Sequence, residues 1–183
     1  MVKNFKDDIY RYTGGTGLTA FFKAWRNPGF RFILFFRIVS SSRKYSLRWS
    51  MAFPFYRHYF IKYGIQIPTS VKIGRGLLLP HFGGIVINSK SKIGNNCNIL
   101  QNVTLGNSKG GKKAGSPTIG DNVYIGPGAV IVGGIFVGNN VLIAGNAFVN
   151  FDVPDNSIVL GNPAQIIRKD SPTIEYIGWR IHI

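Results

Sequence analysis

Aliphatic side chains recur at six-residue intervals through most of this chain. They occupy Ile67, Ile73 and Leu79, then Ile87, Ile93, Ile99 and Leu105, then Ile119, Ile125, Ile131, Val137, Ile143 and Val149. Four places after most of them stands a second small or apolar residue: Val71, Leu77, Cys97, Val103, Val123, Ala129, Ile135, Val141, Ala147 and Val153. A helix repeats its apolar face about every 3.6 residues and a flat strand about every two. Six fits neither. It fits a short strand followed by a tight corner, three such units closing a triangular coil with two inward residues per unit. The residue after each aliphatic is often small or Pro, as at Pro68, Gly74, Pro80, Gly94, Gly106, Gly120, Gly126, Gly138 and Ala144, which lets the backbone turn. Asn95, Asn96, Asn139 and Asn140 lie just before the second inward position, where a corner takes left-handed residues. The pattern predicts a parallel β-solenoid over residues 64–170.

The register slips twice. Leu79 to Ile87 spans eight residues, so two extra ones lie between His81 and Ile85. Leu105 to Ile119 spans fourteen, read as two units plus two. Residues 107–117 in that interval are rich in Gly and Lys and have no apolar period, so they form a loop thrown out from the coil. Breaks in a strict repeat are where function is added.

Residues 1–63 follow another pattern. The stretch to residue 16 reads as irregular, with a turn at Gly14-Gly15. A short helix follows over 17–26. A second, capped by Asn27 with Pro28 at its first position, runs to about Ser40. A third runs from about Ser46 to Tyr63, with a bend at Pro54. These helices are dense in Phe, Tyr and Trp. They either cap the open end of the solenoid or lie against an anionic membrane, aromatics in the interface and Lys/Arg on headgroups. The two readings are compatible. The tail, residues 171–183, carries no pattern.

The 183 residues suffice for one solenoid domain with its helical segment. The single cysteine, Cys97, excludes an intrachain disulfide and suits a reducing, cytoplasmic setting. At a second inward position it reads as a core filler and not a nucleophile. The formal charge is +15, of which residues 1–63 carry +10, and no acid occurs between Asp8 and Asp121. Such a field favours polyanions, anionic lipid or a phosphate-bearing ligand. No nucleic acid is expected, because no base-reading module is visible. The apolar run over residues 30–39 is short and broken by Arg31 and Arg37, so no span is expected. The N-terminus lacks the apolar core of a signal peptide. Of the three histidines, His58, His81 and His182, only His81 lies in the solenoid, so no metal is expected. His81 sits at the first register slip, before a Gly pair. An imidazole titrates near neutrality, which suits a general base.

Several stretches make the pattern specific. They are residues 73–81 (Ile-Gly-Arg-Gly-Leu-Leu-Leu-Pro-His), 83–86 (Gly-Gly-Ile-Val), 99–106 (Ile-Leu-Gln-Asn-Val-Thr-Leu-Gly), 125–129 (Ile-Gly-Pro-Gly-Ala) and 161–164 (Gly-Asn-Pro-Ala). In this order they resemble the serine O-acetyltransferase-like branch of the hexapeptide-repeat acyltransferases. The resemblance implies a left-handed parallel β-helix with a short helical N-terminal segment, acetyl-CoA as donor, and a homotrimer with the donor in a groove between adjacent solenoids. It also implies His81 as the catalytic base, with direct transfer. Backbone N–H groups at Gly83 and Gly84 would face the donor's reacting oxygen, and Pro127 and Gly145 would lie along its pantetheine arm. Lys109, Lys112 and Lys113, with Arg168 and Lys169, would meet its phosphates.

Three departures from that branch change the expected acceptor. Pro80 stands where the serine enzymes carry Asp, Gln66 where they carry a carboxylate partner, and Ser116 where a second histidine follows the loop. Neutral Gln66, Asn88, Gln101, Asn102 and Ser116 suit sugar hydroxyls. The expectation is therefore an O-acetyltransferase of surface polysaccharide, capsule or exopolysaccharide, cytoplasmic and peripheral on the inner membrane face. Serine O-acetyltransfer is the alternative enzyme, and a non-catalytic polyanion- or membrane-binding scaffold the alternative of another class.

Overall fold

The computed structural model describes residues 2–182. Its fourteen strands form three sheets. The first face holds β1 (Ile65–Gln66), β3 (Ile85–Ile87), β6 (Thr104–Gly106), β9 (Val130–Val132) and β12 (Phe148–Val149). The second holds β2 (Lys72–Ile73), β4 (Lys92–Ile93), β7 (Thr118–Ile119) and β10 (Phe136–Val137). The third holds β5 (Asn98–Ile99), β8 (Tyr124–Ile125), β11 (Val141–Ile143), β13 (Ser157–Leu160) and β14 (Gln165–Arg168). The chain visits the faces in rotation, and every pairing between coils is parallel. Both predicted inward rows are buried except for half-buried Ile73, and they make one continuous core.

The pairings give each coil its length. Val130 lies beside Phe148 and Tyr124 beside Leu142, eighteen residues on. Ile65 lies beside Ile85 and Ile73 beside Ile93, twenty residues on, so the His81 segment adds two. Ile93 lies beside Ile119 and Leu105 beside Ile131, twenty-six on. The second slip is thus one corner with eight inserted residues, because Leu105 and Ile119 occupy neighbouring faces. Asn96 and Asn140 take the expected left-handed backbone, as do Asn102, Asn122, Asn146 and Asn156. Asn95 and Asn139 do not. Their Oδ1 atoms accept the amides of Arg75 and Asp121, each at 2.8 Å, in a ladder that Asp121 and Asp155 continue.

Four helices precede the coils: α1 (Val2–Thr13), α2 (Leu18–Trp25), α3 (Pro28–Ser40) and α4 (Leu47–Lys62). The Asn27 Oδ1 atom caps α3 by accepting the Gly29 N–H, and α4 runs on through Pro54. Phe32, Ile33, Phe36 and Tyr56 join the solenoid core at its first coil, so the helices cap that end. The irregular start expected over residues 1–16 is corrected by α1. Phe5, Ile9 and Tyr12 share one stripe of that helix and pack with Phe30. Two of its charges, Asp8 and Arg11, are also buried. Asp8 accepts from Arg37 Nε at 2.9 Å and Nη2 at 3.2 Å, and from the Leu77 N–H at 3.1 Å. Arg11 donates to the Gly76 carbonyl at 3.0 Å and to Asn98 and Gly178. The tail is also docked. Asn96 exchanges two 3.0 Å hydrogen bonds with the Ile181 backbone, Ile177 and Ile181 are buried, and Tyr176 packs on Tyr124.

Candidate active site

His81 lies in the two-residue insertion at the corner between the third and first faces, beside a column of stacked residues headed by Gly83. The register Leu78–Asn98–Tyr124–Leu142–Ile158 aligns the strands that enter this corner. Three residues beyond Asn98, Tyr124, Leu142 and Ile158 stand Gln101, Pro127, Gly145 and Gly161; two residues are inserted after Leu78, so Gly83 takes the equivalent place in the first coil. Backbone bonds tie the corner together: Asn102 N–H to the Gly83 carbonyl at 2.9 Å, Gly128 N–H to Gln101 at 3.0 Å, and Asn146 N–H to Pro127 at 2.9 Å. Successive coils are about 4.8 Å apart, so Gln101 lies one coil from Gly83 and Pro127 two. The column therefore stacks Gly83, Gln101, Pro127 and Gly145, with Gly84 and Asn102 next to it and the proposed base two residues before Gly83. Gly83 and Gly84 both have positive φ, and a Cβ on Gly84 would come within 2.2 Å of Asn102 Oδ1.

The His81 side chain is exposed. Its segment is fixed by backbone on either side. The Tyr12 hydroxyl accepts the Leu79 N–H at 2.9 Å and lies 3.2 Å from the Leu79 carbonyl, to which it donates. Asn27 Nδ2 donates to the Pro80 carbonyl at 3.2 Å, and the Phe82 ring packs 5.4 Å from Tyr63. Burial pushes the Tyr12 phenol far above its usual range, so it stays a neutral donor. Gly29 is required beneath this segment, since a Cβ there would lie 2.1 Å from the Leu79 carbonyl oxygen. Tyr12, Asn27 and Gly29 escaped sequence reasoning. The Asn27 cap was visible, but nothing local marks contacts with residues some fifty or more positions away.

Gln101 carries an unusual atom: its Oε1 is buried and has no hydrogen-bond partner. The other acceptor candidates spread out. Gln66 is exposed on the first face, paired with Val86. Asn88 and Ser116 meet at the opposite, first-to-second corner, where Ser116 Oγ lies 2.9 Å from Asn88 Oδ1 and 3.2 Å from Asn107 Oδ1. The loop folds over that same corner, pinned by the Ser108–Gly115 bridge and a 2.8 Å bond from Gly134 N–H to the Lys113 carbonyl. Lys113 is ion-paired with Asp152, whose carboxyl it holds below the usual range. Lys109 and Lys112 are exposed.

Arg168 and Lys169 do not join the column. β14 runs antiparallel to β13, which carries Arg168 back across the third face to Ser157. There Arg168 Nη1 donates to the Asp155 carbonyl at 2.6 Å and the Lys169 N–H to the Asn156 carbonyl at 3.1 Å. Cys97 is buried and its thiol is pushed up to about 12 by desolvation, which suits a filler. His58 and His182 are exposed, away from the column. Among the described residues no group of three or more His, Cys, Asp or Glu side chains gathers as a metal site would require.

A three-faced parallel coil and one exposed histidine at a slipped corner beside the Gly83, Gln101, Pro127 and Gly145 column define a hexapeptide-type transferase framework. Residues 116–150 match the family pattern described as bacterial transferase hexapeptide, six repeats. Serine acetyltransferase from Helicobacter pylori is 42% identical over 107 residues, 58% of this chain and 63% of the relative. Serine acetyltransferase 2 from Arabidopsis thaliana is 42% identical over 108 residues, 58% of this chain and 33% of the relative. The crystal structure of Neisseria gonorrhoeae serine acetyltransferase in complex with serine superposes with a TM-score of 0.73 at 33% identity, covering 90% of this chain and 68% of that one. The chain belongs to the serine acetyltransferase branch of the hexapeptide-repeat acyltransferases, which implies the left-handed coil. It spans between a third and just under two thirds of the length of these two curated relatives. The polysaccharide acceptor expected from the sequence is corrected here, because the relatives are named for serine.

Proposed function

We propose that the protein transfers an acetyl group from acetyl-CoA to the hydroxyl of L-serine, with His81 as general base. The carrying observation is the exposed His81 in the insertion beside the corner column, in a chain similar along most of its length to enzymes named for that acceptor. His81 takes the hydroxyl proton as the serine oxygen attacks the thioester carbonyl. The carbon–sulfur bond then breaks and the proton passes to the leaving thiolate. N–H groups at Gly83 and Gly84 are candidates for the developing oxyanion, since glycine allows close approach. The narrow edge formed by Pro127, Gly145 and Gly161 fits an extended pantetheine arm.

Serine brings an ammonium and a carboxylate, and charges in a cleft need partners. The buried, unpartnered Oε1 of Gln101, one coil from Gly83, supplies an acceptor for the ammonium. The net +15 of the chain favours the carboxylate and the donor phosphates. In one isolated chain His81 is open to solvent, which supports a site completed by a neighbouring copy in a homotrimer. The buried single thiol is in keeping with work in the cytoplasm.

The test is thiol release from acetyl-CoA with L-serine, with O-acetylserine identified by mass spectrometry and mass in solution measured by light scattering. Saturable turnover by a trimer is expected. Absence of turnover with serine by the folded trimer would overturn the reading.

A further inference from the structure

Helix α4 is apolar on two sides, and only one of them is used by the core. Trp49, Phe53, Tyr56 and Phe60 pack on the solenoid cap. Leu47, Met51 and Phe55, each four residues after the last, form a second stripe. They are 79%, 67% and 52% exposed. With Phe35 and Ile38 of α3 they line a shallow groove of about 470 Å³ whose only charged lining residue is Arg48. Tyr45, in the turn before α4, is 74% exposed and adopts a φ of 66°, a region that tyrosine occupies at a cost. Arg43 and Lys44 beside it are exposed, with the Lys44 ammonium 4.8 Å from the Tyr45 ring centre.

We propose that this face of α4 and its preceding turn docks on an anionic phospholipid bilayer. The apolar stripe would enter the headgroup–acyl boundary while Arg43, Lys44 and Arg48 meet lipid phosphates. Charge selects this occupant. Residues 1–63 carry +10, and no acid occurs in the sequence between Asp8 and Asp121. A second copy would bring the same cations to the contact, and like charges repel. A bilayer rich in anionic lipid offers the opposite sign together with an apolar layer. The described helices are too short or too polar to cross a membrane, so the attachment is peripheral and reversible.

The test uses the full chain in flotation with vesicles of phosphatidylcholine alone or with about a third phosphatidylglycerol. Binding is expected only to the anionic vesicles at low salt, falling at least fivefold in half-molar salt as the charges are screened. Leu47→Glu with Met51→Glu should lower vesicle binding at least tenfold. Both side chains are exposed and lie outside the active site, so acetyl transfer and solution mass should stay at wild-type values. Three results would overturn the proposal: no binding to anionic vesicles at low salt, binding indifferent to the double substitution, or a smaller oligomer in the double variant. The last would make the stripe a contact between copies.

Discussion

The hydroxyl of Tyr12 bridges both polar groups of one peptide residue, Leu79, two positions before His81. The bond joins the first helix to the first coil. It satisfies a backbone N–H that is otherwise buried with no strand partner. Tyr12→Phe keeps the ring and removes the bridge. Leaving a buried donor unpaired costs about 1–3 kcal/mol. The expected result is a lower melting temperature and a kcat reduced severalfold, with the KM for acetyl-CoA little changed. Wild-type kcat in a destabilised variant would show that the bridge supports only the fold.

Replacing His81 by Ala should remove nearly all acetyl transfer, since losing a general base costs roughly a hundredfold to ten-thousandfold. The side chain is exposed, so the melting temperature should not move. His58→Ala should be silent in the same assay. A His81→Ala variant that kept a tenth of the wild-type rate would remove it from the base role.

Gln101 offers a sharper separation of stability from function. Its buried Oε1 lacks a partner in the free protein, so Gln101→Met deletes an unsatisfied acceptor at similar volume. Thermal unfolding should be unchanged or slightly higher. The kcat/KM for serine should drop about tenfold if that oxygen receives the ammonium. Equal kinetics in the two proteins would exclude the contact.

Cys97 predicts a pH dependence. Its thiol is pushed up to about 12 by burial, while an unfolded thiol titrates near 8.5. The unfolded chain therefore gives up a proton that the native chain keeps. The contribution is full below about pH 8.5 and is lost as pH rises towards about 12. Cys97→Ala should flatten that part of the stability curve. At pH 8 a thiol reagent should label the native protein at least a hundredfold more slowly than the urea-unfolded chain.

Much of the coil was legible because its pattern is local. Each inward aliphatic and its companion four places on report one turn of the backbone, and counting them gives the six-residue register and the places where it slips. The Asn27 cap was equally local. What escaped depends on distant parts of the chain. Nothing in an irregular-looking start singled out Asp8 and Arg11, yet both are buried, held by Arg37, Leu77, Gly76 and Asn98. The tail looked patternless because its partners, Asn96 and Asn98, lie some eighty positions earlier. The reversal of β14, which sets Arg168 beside Ser157, carries no local signal either. The acceptor was misread for a chemical reason: a neutral amide such as Gln101 hydrogen-bonds an ammonium as readily as a sugar hydroxyl, so side-chain type alone did not separate the two.

The reversal at β14 also bears on solubility. A parallel coil presents the same unpaired edge after every turn, and nothing in its geometry limits the number of turns. Head-to-tail growth into a fibre is the hazard of such a repeat. Here helices block the first coil, and at the far end β14 pairs with β13 in the opposite sense from Ser157–Arg168 to Leu160–Gln165. An incoming coil on that face would meet a strand running the wrong way. The two ends of the prism are thereby unlike each other, and the chain fixes its own length.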